Sequence, residues 1–152
     1  MQPLHKIDDE TAAYILETRR QFEDLRQVAA QLAGFLVLNA SGADTASPDH
    51  PMLASAAELY RDAAEGVQCA RPSRRALLHH RFLLEASADL GAALTAARNG
   101  LRVDPVLLPL RRAYRHLQDA ACELPGFEMV SFQHACCAAR RAPDRAPQEN
   151  RI

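Results

Sequence analysis

Apolar and small residues recur at steps of three and four along most of the chain. Ile15, Thr18, Phe22, Leu25, Ala29, Leu32 and Leu36 form an unbroken stripe, widened by Val28 and Phe35. Such spacing turns one side of an α-helix toward a core. It predicts a first helix from about Asp8 to Leu38, roughly 45 Å long at 1.5 Å per residue. Asp8, Asp9 and Glu10 put negative charge at its start, where the helix dipole favours it, and Asn39-Ala40-Ser41-Gly42 ends it. A second stripe, Met52, Ala56, Leu59, Ala63 and Val67, predicts a helix from about Pro51 to Val67.

Cys69-Ala70-Arg71-Pro72 interrupts the pattern. A third helix is expected from about Ser73 to Asn99, with Gly100 as its stop. Its stripe is Ala76, His80, Leu83, Ser87, Leu90, Leu94, Ala97 and Leu101, with His79 at the edge. Asp104-Pro105 reads as a cap followed by proline in the first turn. The fourth helix then carries Val106, Leu110, Ala113, Leu117, Ala120 and Leu124, and Pro109 is expected to distort its first turns. Pro125-Gly126 stops it. The nearly apolar segment from Phe127 to Arg141 is expected to be a fifth, short helix. The pattern predicts an all-α protein: an antiparallel bundle of four long helices plus a short C-terminal apolar helix. Residues 1–141 would form one domain, followed by a disordered polar tail over 142–152.

Composition narrows the class. The 152 residues include 29 Ala and 20 Leu, with 5% aromatics and no Trp, which argues against a sheet. A formal net charge of −1 argues against nucleic-acid binding by bulk electrostatics. The N-terminus lacks the apolar core of a secretory signal, and the longest strongly apolar run, Gly34 to Leu38, is far too short to span a bilayer. These features suggest a cytoplasmic protein. Cys69, Cys122, Cys136 and Cys137 show no CxxC spacing and read as free thiols in a reducing compartment. Charge is uneven: residues 1–66 hold 5 basic and 11 acidic residues, and residues 67–152 hold 13 and 8. Either acidic helices lie beside basic ones, or a dipolar surface meets a charged partner.

Three groups could carry chemistry. His79 and His80 sit on or beside an apolar stripe and could ligate a metal or haem, or serve only as core-edge imidazoles. His134 and Cys137 share a helix face, with Cys136 about 100° away, and could join His79, His80 or His116 around zinc or copper(I). As small buried hydrophobes the cysteines would need no metal. Arg71, Arg74 and Arg75 cluster where the third helix should begin and could hold an anion. Arg111, Arg112, Arg115 and His116 form another basic group. No ExxH pair of the di-iron bundles, HExxH, Walker loop or GxSxG occurs, and no general acid–base pair can be assigned.

The leading expectation is therefore a non-enzymatic regulatory or adaptor bundle acting through protein–protein contacts. The alternative is a small-molecule, haem or metal-binding bundle using His79, His80, His134 and Cys137. Phe35, Leu36 and Leu38, together with the 127–137 segment, look like more apolar surface than one small bundle buries. A homodimer is expected to hide the surplus.

Overall fold

The computed structural model describes residues 7–42, 47–100 and 102–129. Four helices appear in chain order: α1 (Asp9–Ala40), α2 (Pro51–Cys69), α3 (Leu77–Asn99) and α4 (Asp104–Glu123), with a single 3-10 turn at Arg74–Ala76. Among the described residues there is no strand. Among the described residues no helix is long and apolar enough to cross a membrane.

The start of α1 is fixed by its cap. Asp8 Oδ1 accepts the Thr11 backbone N–H at 2.7 Å, and Oδ2 accepts the Thr11 hydroxyl at 2.9 Å. At the other end Gly42, with φ +72, donates its N–H to the Asn39 carbonyl. That left-handed conformation is cheap only for glycine. The third helix starts later than the sequence suggests, because Arg74–Ala76 winds as a 3-10 turn. Asp104 lies inside α4 rather than capping it, and Val103 holds the cap position. Pro109 is buried within α4, which stays helical through it with one donor missing.

Close approaches give the directions of the helices. Gly66 faces Gln21 and Gly34 faces Met52, so α2 runs antiparallel to α1. Phe82 stacks on His116, and Asp89 meets Arg112, so α4 runs antiparallel to α3. Thr11 meets Ser73 and Tyr14 meets His79, so α1 and α3 run the same way. Both α1 and α3 pack against all three other helices. One core fills the space between them, built on Phe22, Leu25, Leu32, Leu83, Leu90 and Leu117. The expected α4 stripe is buried at every position.

Two expectations change. His79, placed at the stripe's edge by spacing, is fully buried, while His80 is half-buried. The cause is Phe127, which comes from beyond α4 and lies over the His79 ring with centroids 4.2 Å apart. Phe35 and Leu36, assigned to surplus surface, are covered by the chain itself. Only 127–129 of the expected fifth helix are described, and they are not helical. The remainder, the tail and Leu101 lie outside the described residues.

Candidate functional site

A groove of about 850 Å³ lies between α1 and α4. Its α1 wall carries Ala29, Ala30 and Ala33, and its α4 wall carries Leu107, Leu110 and Tyr114. Small side chains on one helix leave a furrow that the facing leucines do not fill. Arg26, Arg111 and Arg115 stand around it, and Met129 closes one end. Arg26 is engaged: it meets Glu23 at 2.6 Å and donates to the Glu128 carbonyl at 3.4 Å. Among the described residues Arg111 and Arg115 make no ion pair. The groove thus joins an apolar floor to unneutralised positive charge.

Sequence reasoning missed this groove. Spacing places Ala29 in the α1 stripe, and Ala30 and Ala33 fall outside it. The available signal was three alanines on one side of α1, and arginines at i and i+4 on α4. The structure splits the basic group of α4 between two faces. Arg111 and Arg115 flank the groove, while Arg112 and His116 turn toward α3. Arg112 directs Nε and Nη2 at Asp89 Oδ1, at 3.1 and 2.8 Å. His116 lies between Glu85 Oε2 at 3.3 Å and Asp89 Oδ2 at 3.6 Å. Nδ1 makes no hydrogen bond, so the approach to Glu85 is a proximity only.

A second polar centre is buried where α1 meets α3. The Tyr14 hydroxyl lies 3.0 Å from His79 Nδ1 and 3.3 Å from His80 Nδ1. Burial, and then the neighbouring His80, hold His79 down at about 4. Burial lowers His80 as well and raises Tyr14. All three groups are therefore neutral near pH 7. The phenol has one proton, so it donates to one imidazole and accepts from the other. His79 Nε2 is buried with no hydrogen-bond partner. An orphaned buried N–H is rarer than an orphaned acceptor. His79 therefore donates from Nδ1 to Tyr14, and Tyr14 donates to His80.

His134, Cys136 and Cys137 lie outside the described residues. Among the described residues no three His, Cys, Asp or Glu side chains gather closely enough to share a metal ion. Arg71, Arg74 and Arg75 are all exposed around the 3-10 turn. The nearby Ser73 hydroxyl is already engaged with Thr11 Oγ1 at 2.7 Å. Thr11 gives its own proton to Asp8, so Ser73 is the donor. The Asp8 carboxyl is held below the usual range by its hydrogen bonds from Thr11, with a smaller contribution from Arg75.

The chain matches no protein-family model, no curated protein sequence and no solved structure.

Proposed function

We propose that this protein is a non-enzymatic adaptor or regulatory module whose α1–α4 groove receives an amphipathic helix from a partner protein. The observation that carries the reading is the pairing of an alanine floor with Arg111 and Arg115, which lack acidic partners among the described residues. Small floor residues let a helix backbone approach closely, and its apolar stripe would cover Leu107 and Leu110. Acidic residues flanking that stripe would meet the two arginines. Exposed, free Cys69 and Cys122 suit a cytoplasmic setting.

Self-association is a second part of the proposal. Leu16, 76% exposed, adjoins Ile7, Ile15 and Pro125 in an apolar patch that a second copy would cover.

A photo-cross-linking residue at position 30 tests the groove, with position 84 on the exposed side of α3 as control. Capture of one defined protein from position 30 but not 84, lost in an Arg111→Glu/Arg115→Glu variant of unchanged helicity, is expected. Equal capture from both positions, or none from position 30, overturns the reading. The alternative, a metal- or haem-binding bundle, draws support from the unpartnered Nε2 of His79. Stoichiometric metal or a haem absorbance band in the purified protein would favour it instead.

A further inference from the structure

The groove between α1 and α4 has two unlike ends. Because α1 and α4 run in opposite directions, Ala33 and Leu107 share one end, and Glu23, Gln27 and Gln118 share the other. The first end is apolar. The second is polar and closed. After α4 the chain turns back onto the bundle through Gly126, whose φ of +91 favours glycine. Phe127 then packs on Phe22, at 5.2 Å between centroids, and on His79. Arg26 donates to the Glu128 carbonyl, and Met129 lies in the groove wall. Residues 125–129 therefore form a strap at the polar end, anchored by a buried ring.

Positive charge increases toward that end. Arg111 lies about 6 Å along α4 from Leu107, and Arg115 about 12 Å, at 1.5 Å per residue. Three arginines and one glutamate line the groove, and Arg26 pairs with that glutamate. The closed end thus offers N–H donors and net positive charge, while the Glu23 carboxylate and the Glu128 carbonyl are already engaged.

A helix lying in such a groove ends at the strap, so one of its termini lies there. A helix C-terminus presents four carbonyls without partners and about half a negative charge. An N-terminus presents unpaired N–H groups and about half a positive charge. Donors beside unpaired guanidiniums match only the first. We infer that the groove receives its partner helix with a fixed polarity. The partner's last turn lies between Arg115 and Met129, acidic residues in its last two turns meet Arg111 and Arg115, and its apolar first half covers Ala33 and Leu107. The partner thus runs parallel to α4 and antiparallel to α1. This polarity rests on the groove being a helix receptor, as proposed above. It narrows the partner class to helices that end just after an acidic turn. Acid in that position opposes the dipole of a free helix, and the two arginines offset it on binding.

Two synthetic helices of about fourteen residues test the polarity, each stapled because free helices of that length are marginal. Both are acetylated and amidated, and they share one Ala/Leu stripe. One carries a Glu pair, spaced i and i+4, in its last two turns. The other carries the pair in its first two turns. Binding to the full chain is read by fluorescence anisotropy. The helix with the acidic C-terminus is expected to bind about tenfold more tightly, and to lose that advantage in an Arg111→Glu/Arg115→Glu variant of unchanged helicity. A photo-cross-linking residue at position 33 should reach the first turns of that helix, and one at position 27 the last turns, as read by mass spectrometry. Equal affinities, or the reversed cross-link pattern, overturn the polarity and leave the groove as a helix receptor. Binding of neither helix, or binding that the arginine replacements do not weaken, removes the receptor reading and the polarity with it.

Discussion

One phenolic proton governs the buried Tyr14–His79–His80 centre, and its neutrality has a pH signature. His79 titrates at about 4 when folded, against 6.5 for the ordinary side chain, because burial disfavours the cation. Between those values the unfolded chain takes up a proton that the folded chain refuses. Stability is thus full above pH 6.5 and falls as pH drops toward 4, by roughly 3 kcal/mol. Urea midpoints at pH 7.5 and 4.5 should show that fall, and His79→Leu should remove most of it. If His79→Leu leaves the pH dependence unchanged, the centre is not its source. Tyr14→Phe should cost about 1–3 kcal/mol at pH 7.5, since it strips a buried imidazole of its partner. Little of this was legible in the sequence. Spacing marked both histidines but chose His80 for the interior. The ring that covers His79 belongs to Phe127, and helical periodicity carries no information about a side chain arriving from another segment.

The helices themselves were far more legible, because a long stripe determines which side faces inward wherever the neighbours lie. Val106, Leu110, Ala113, Leu117, Ala120 and Leu124 are all buried as spacing requires. Leu90→Ala should cost about 2–5 kcal/mol, whereas Leu108→Ala, on an exposed position, should stay within about 0.5 kcal/mol. Equal shifts in the two denaturation midpoints would mean that α3 is assigned the wrong face. What spacing does not reveal is the difference between an alanine that admits a neighbouring helix and one that floors a furrow. Ala29 is buried, while Ala30 and Ala33 are exposed, yet they read alike in the sequence. Between α3 and α4, Arg112 and Asp89 form a partly exposed clip. Arg112→Ala should cost no more than about 1 kcal/mol, and the difference from the parent should shrink in high salt.

At the scale of the molecule, the charge imbalance between the two halves does not resolve, among the described residues, into ion pairs joining them. Among those residues the Arg–carboxylate pair between helices links α3 to α4. The positive charge of the second half is thus partly left at the groove, where the proposed partner would meet it. The apolar surplus read from the first helix also shrinks, since Phe35 and Leu36 are interior. The proposed homodimer now depends on the patch around Leu16. Light scattering at tens of micromolar should return a dimer mass for the native chain and a monomer mass for Leu16→Glu. A native monomer at that concentration would refute the pairing.

The close packing of α3 on α4 gives the molecule a graded resistance to opening. The least-packed helix, α2, can lift away while the α3–α4 pair stays in place, so its amides can exchange with deuterium through partial openings. Central α3 and α4 amides, around Leu90 and Leu117, exchange only when the whole bundle comes apart. Their protection should therefore report the global free energy of unfolding, with that of α2 below it.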